Sequence, residues 1–202
     1  MARSTQIEAV RYNPGMNLPN LLTLSRILLI PFFVLVYVIP GASTYVYAAT
    51  LFALAAFTDW LDGYLARRLE QATPFGAFLD PVADKLIVVS ALVVLVGHHA
   101  NLWLTLPALV IVGREIVISA LREWMAEMNR RGVVNVTWIG RVKTTFQMVA
   151  IVVLLANPPN FQSPWVWIGY ALLYGAALLT LWSMGLYLRA AWPSLRYGLA
   201  QR

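Results

Sequence analysis

Residues 21–39 read LLTLSRILLIPFFVLVYVI, with Arg26 the only charge among them. A helix rises about 1.5 Å per residue, and the hydrocarbon layer of a bilayer is roughly 30 Å thick, so about 20 such residues cross it. The stretch therefore reads as a membrane-spanning helix and not as the core helix of a soluble domain. Five further stretches share its character: Tyr45–Arg67, Phe78–Gly97, Leu102–Met125, Arg141–Ala156 and Trp165–Leu188. Turn-forming residues separate them, at Pro40-Gly41, Thr73-Pro74, Gly97-His98-His99 and Asn157-Pro158-Pro159-Asn160. The expected fold is an all-α integral membrane protein of six transmembrane helices. It forms one domain over residues 17–202, preceded by a tail or short interfacial helix over residues 1–16.

Composition supports that class. Of 202 residues, 60% are hydrophobic and 12% charged, with a mean hydropathy of +0.68. A soluble domain carries about twice that charged share. Eight Trp, nine Tyr and eight Phe suit a chain with aromatic residues at lipid–water boundaries. Cysteine is absent, which excludes disulfides, thiolate nucleophiles and cysteine metal sites. The net charge of +6 does not point to nucleic acid here, because the basic residues are distributed by topology. Arg3, Arg11 and Arg26 begin the first span; Arg67, Arg68 and Lys85 bracket the second connection. Arg122, Arg130, Arg131, Arg141 and Lys143 surround the fourth, and Arg189, Arg196 and Arg202 follow the last span. The other three connections carry no Lys or Arg. The positive-inside rule then places both termini in the cytoplasm. A cleaved signal peptide is disfavoured by the length of the first span and the lack of an A-x-A site after it. Asn135-Val136-Thr137 matches a glycosylation acceptor, but in a connection expected to be cytoplasmic.

All four aspartates of the chain, Asp59, Asp62, Asp80 and Asp84, fall within 26 residues at the cytoplasmic ends of the second and third spans. Counted from Tyr45, Asp59 lies about 21 Å along its helix, inside the bilayer, where a carboxylate needs a functional partner. Spacings of i, i+3 and i, i+4 put each pair on one helical face. Four carboxylates converging from two helices repel unless cations sit among them. Magnesium, or manganese, suits an all-oxygen site of this kind, and two ions can hold a diphosphate. Gly63 and Ala66 remove bulk beside the acids, Gly76 offers a second close approach, and Arg67 can grip a phosphate bidentately.

The segment Asp59-x2-Asp62-Gly63-x2-Ala66-Arg67-x8-Gly76-x3-Asp80-x3-Asp84 resembles, without departure, the signature of the CDP-alcohol phosphotransferase family. The resemblance implies a six-helix membrane enzyme that transfers a phosphatidyl or similar group from a CDP-linked donor to an alcohol, releasing CMP. By the same resemblance Asp59, Asp62 and Asp80 hold one or two divalent metals, and Asp84 is both ligand and candidate base. Gly63, Ala66, Arg67 and Gly76 line the pocket for the cytidine and diphosphate of CDP-diacylglycerol. A homodimer is also implied.

Further segments resemble the branch of the family whose acceptor is sn-glycerol 3-phosphate. They are Asn17-Leu18-Pro19-Asn20-Leu21-Leu22-Thr23 with Arg26, Gly113-Arg114-Glu115-Ile116, Ile118 to Trp124, and Lys143-Thr144 with Gln147-Met148. That acceptor is a dianion and needs fixed cations apart from the donor's. Arg114 lies about 18 Å into the fourth span, deep enough to need a reason. Arg114, Arg122, Arg141 and Lys143 are the candidate glycerol 3-phosphate ligands, with Glu115 and Ser119 on the stripe that leads to Arg122. An internal Arg114–Glu115 or Arg122–Glu123 pairing would also account for these charges. Arg130 and Arg131 read as topology determinants or anionic-lipid contacts, and His98 and His99 as interfacial loop residues. The competing readings are a sister enzyme using inositol phosphate, serine or a lipid as acceptor and, from another class, a divalent-cation transporter. Transport sites usually lie near the midplane between repeated halves, whereas these acids lie near one face and no repeat is visible.

Overall fold

In the computed structural model, residues 18–41, 43–69, 73–127 and 138–199 are described. The segment 1–16, Arg130, Arg131 and the Asn135-Val136-Thr137 tripeptide lie outside them, as do the side chains of Asp62, Gly63, Ala66, Arg67 and Arg141. Six α-helices follow one another: α1 (Leu18–Val38), α2 (Thr44–Leu69), α3 (Pro74–His99), α4 (Leu102–Glu127), α5 (Trp138–Leu155) and α6 (Pro164–Leu199). No strand occurs among the described residues.

Local chemistry explains where the helices run past the expected spans. Thr73 caps α3, its hydroxyl accepting from the Gly76 N–H at 3.0 Å, and Pro74 supplies the preset φ of a first helical residue. The helix therefore starts four residues before Phe78, and Asp80 sits in its second turn. At the other end Gly97-His98-His99 is not a turn. The helix continues to His99 and closes on Ala100, whose φ of 45° lets its N–H reach the Val96 carbonyl. His98 packs its ring on Tyr37 at 4.8 Å, and His99 meets the Tyr170 hydroxyl at 3.1 Å.

The surface is inverted relative to a soluble protein. Leu35, Val93, Leu109, Leu178 and Trp182 are each more than 60% exposed, while Arg26, Arg114 and Lys143 are buried. Such an apolar exterior has no place in water and is natural in lipid. The core is Phe33, Phe52, Ile87, Leu92, Leu95, Ile111, Ile151 and Leu154 with small residues between them. Ala48, Ala49 and Ala55 let α2 lie close on α1, its most extensive neighbour, and Gly169 lets α6 approach α5. A Cβ at Gly169 would stand 2.7 Å from the Leu154 side chain.

Three helices, within Asn20–Val38, Leu102–Ala126 and Pro164–Trp192, are long and apolar enough to cross a membrane by composition alone. The α2 and α3 helices match them in length at 26 residues each but carry the four aspartates. The α5 helix is shorter, at 18 residues. Cross-helix contacts order the bundle. Arg26 meets Asp59 and Asp84, and Lys143 meets Glu115, at one end, whereas Tyr37, Tyr45, His98 and Tyr170 gather at the other. Adjacent helices therefore run antiparallel, and the charged end collects the start of α1, the end of α2 and the start of α3.

Candidate active site

The acids are organised by α1. Thr23 and Arg26, three residues apart, face the α2–α3 pair from one side of that helix. The Thr23 hydroxyl donates to Asp80 Oδ1 at 2.7 Å. Arg26 Nη1 lies 2.8 Å from Asp59 Oδ1 and 2.5 Å from Asp84 Oδ1. Arg26 is fully buried, while the two carboxylates are 41% and 48% exposed. One turn before Thr23, Asn20 and Thr73 exchange side-chain hydrogen bonds at 2.9 and 3.1 Å. Gly76 is buried against this pair: a Cβ there would stand 2.5 Å from Asn20 Oδ1. The glycine is required for this close approach, and α3 is tied to α1 at the level of the acids.

Asp59, Asp80 and Asp84 thus meet at one end of the bundle around the start of α1. Asp62 follows Asp59 on α2, with its side chain outside the described set. Among the described residues no three carboxylates or imidazoles form a group able to hold an ion. The donor chemistry nevertheless fits a divalent cation. The groups are hard oxygens from two helices, half open to solvent, and two of them already share a single positive charge.

A cavity of about 510 Å³ opens beside these acids. Asp59, Asp84 and Lys85 line it from α2 and α3; Arg114, Glu115 and Arg122 from α4; Lys143, Thr144 and Gln147 from α5; and Tyr187 from α6. Three of the four expected acceptor-phosphate cations therefore face one space with two of the aspartates. The fourth, Arg141, lies in the first turn of α5 with its side chain outside the described set. The Arg114–Glu115 pairing, the alternative account of these charges, is present at 2.7 Å, and Lys143 joins the same Glu115 Oε1 at 3.2 Å. Arg122 Nη2 donates to the Tyr187 hydroxyl at 3.0 Å. The Tyr187 ring also lies under both guanidiniums, 5.8 Å from that of Arg114 and 5.4 Å from that of Arg122.

Sequence reasoning left Tyr187 and Ser183 unremarked, although Ser183 lies 3.4 Å from Arg114 Nη2. A signal was there: Thr180, Ser183 and Tyr187, at i, i+3 and i+7, form a polar stripe on an otherwise apolar helix. Arg26 was read as a topology charge and as part of a resemblance, not as the cation between the acids.

Known proteins resemble the chain over nearly its full length. A curated relative from Pseudomonas fluorescens is 64% identical over 183 residues, covering 90% of this chain and 93% of that protein. Relatives from Shigella flexneri serotype 5b and Escherichia coli K12 are each 56% identical over 176 residues, covering 87% of this chain and 94% of theirs. All three are named CDP-diacylglycerol–glycerol-3-phosphate 3-phosphatidyltransferase. The profile of the CDP-alcohol phosphatidyltransferase family matches residues 16–182, which include every acid and cation of the cavity, and the chain belongs to that family.

Proposed function

We propose that this chain transfers the phosphatidyl group of CDP-diacylglycerol to sn-glycerol 3-phosphate, giving phosphatidylglycerophosphate and CMP in phospholipid biosynthesis. The observation that carries the reading is a cavity lined by Asp59 and Asp84 together with Arg114, Arg122 and Lys143. A donor diphosphate and an acceptor phosphate need separate positive sites a few ångströms apart, with the reacting hydroxyl between them. Mg2+ or Mn2+ ions held by Asp59, Asp62, Asp80 and Asp84, two in number, would neutralise the donor diphosphate and the leaving CMP phosphate. Arg67, Gly63, Ala66 and Gly76 would accommodate the donor's cytidine and diphosphate.

The rest is the work of side chains. Arg114, Arg122 and Lys143 hold the acceptor's phosphate, so its free primary hydroxyl points toward the acids. That oxygen attacks the β-phosphorus, which bears diacylglycerol, and the bond from this phosphorus to the CMP oxygen breaks. Asp84, half open to the cavity, accepts the hydroxyl proton. Burial of Arg114 and Lys143 strengthens their hold on phosphate by excluding water.

The same reading makes α2, α3 and α5 membrane spans beside the three apolar helices, six in all. The site and both termini then face the cytoplasm of the inner membrane, where CMP is released. Reporter fusions at either terminus should report a cytoplasmic location, and an external one overturns this orientation. The homodimer is proposed on the family resemblance alone. The deciding assay supplies purified protein with CDP-diacylglycerol, Mg2+ and a panel of alcohols. Release of CMP only with sn-glycerol 3-phosphate supports the reading. Release with inositol phosphate or serine instead moves the chain to a sister activity, and no release at all favours transport.

A further inference from the structure

Glu115 stands among the cations assigned to the acceptor's phosphate. Its Oε1 alone accepts from Arg114 Nη1 at 2.7 Å and from Lys143 Nζ at 3.2 Å. The two cations come from different helices, and their side chains are only 7% and 6% exposed. Two positive charges held this near each other, away from water, repel unless an anion lies between them. Glu115 is 27% exposed and lines the cavity itself. Arg114, Arg122 and Lys143 less Glu115 leave two net positive charges on the α4–α5 side of the cavity. That is the charge that balances a phosphomonoester dianion, and it exceeds what a phosphodiester monoanion needs.

We infer that Glu115 is a positioning residue for the acceptor: it holds Arg114 and Lys143 together as one anion-binding pair and sets the charge of that pair to suit a phosphomonoester. The inference rests on the acceptor site proposed above. Without its carboxylate, Lys143 and Arg114 repel each other and spread apart, and the phosphate loses a contact. Chemistry at Asp84 and donor binding are left alone.

The test uses the full-length protein in detergent, with initial rates measured against both substrates. Glu115→Gln should raise KM for sn-glycerol 3-phosphate by about 10- to 100-fold, with kcat within about threefold and donor KM within about twofold of the parent. Glu115→Asp, which keeps the charge, should recover most of that loss. Thermal stabilisation by sn-glycerol 3-phosphate should disappear in Glu115→Gln while stabilisation by CMP with Mg2+ persists, which a merely damaged fold would not allow. An unchanged KM, or a lowered one marking Glu115 as a competitor of the phosphate, overturns the inference. So does loss of both stabilisations, or an Asp variant as impaired as the Gln variant. Arg122→Gln separates this failure from that of the acceptor site, because Arg122 bonds Tyr187 and not Glu115. If Arg122→Gln raises the acceptor KM and Glu115→Gln does not, only the role of Glu115 falls; if neither does, the acceptor lies elsewhere.

Discussion

The guanidinium of Arg26 in α1 reaches Asp84 in α3 at 2.5 Å, across 58 residues of sequence. The same nitrogen holds Asp59 of α2 at 2.8 Å, so one buried cation ties three helices at the reaction end of the bundle. Its positive charge offsets two carboxylates that would otherwise repel. Arg26→Met should therefore cost about 1–3 kcal/mol, less than a fully buried pair because both acids are half exposed. At roughly 2–4 °C per kcal/mol, metal-free protein should melt several degrees lower. Saturating Mg2+ should restore part of that difference, since it offsets the same carboxylates. Equal melting of parent and variant without metal would show that the ion pair contributes nothing.

Gly76 offers a steric test of how α3 is seated. Gly76→Ala places a methyl group 2.5 Å from Asn20 Oδ1, and the Asn20–Thr73 hydrogen bonds must break or shift to make room. The expected cost is about 1–2 kcal/mol, with a fall in melting temperature of roughly 2–8 °C. Gly97→Ala is the control, because nothing lies within 4 Å of a Cβ there. It should be neutral or slightly stabilising, as alanine is the better helix former. If both variants melt alike, the close approach at Gly76 is not a constraint.

The aspartates divide by role. Asp59→Asn and Asp80→Asn each remove a charge from a group meant to offset divalent ions. Both should abolish transfer and raise the Mg2+ concentration needed for donor binding. Asp84→Asn should lower turnover by about 100- to 10,000-fold, the usual worth of a general base, and weaken donor binding far less. Titration of CDP-diacylglycerol binding beside steady-state rates separates the two effects. Parallel loss of donor affinity and turnover in Asp84→Asn would make it a ligand only.

How much of this was legible depended on whether a residue's chemistry contradicted its place in the sequence. Aspartates and Arg114 inside apolar helices are expensive, so they announced themselves at helical spacing before any packing was known. Arg26, more than two turns into α1, counts in the sequence with the basic residues at the start of the first span, and its pairing with Asp84 is long-range. Ser183 and Tyr187 carry only the weak signal of a polar stripe on α6, and which cations they meet follows from packing α6 against α4. In the sequence Glu115 belongs to the stripe leading to Arg122, with pairing to Arg114 only the alternative; its second bond, to Lys143, needs α5 in place. The charges that make the site legible also lower the hydropathy of α2 and α3, so the functional helices are the least obvious spans.

The acceptor assignment makes the most exposed prediction. Arg114 and Lys143 are buried and face the cavity, and both are already bonded to Glu115. Arriving phosphate oxygens need only complete their remaining donor positions. Losing one charge-assisted contact to phosphate in so dry a site should cost about 2–4 kcal/mol, or roughly 30- to 1000-fold in efficiency. Arg114→Gln and Lys143→Met should each lower kcat/KM for sn-glycerol 3-phosphate on that scale. Donor affinity should stay within about twofold, because the diphosphate answers to the metal-binding acids and Arg67. The effects should not add in the double variant, since both cations share the Glu115 carboxylate and act as one unit. Full additivity would mean that the cations work independently. Loss of CDP-diacylglycerol binding with acceptor affinity intact would place the donor, and not glycerol phosphate, against α4 and α5.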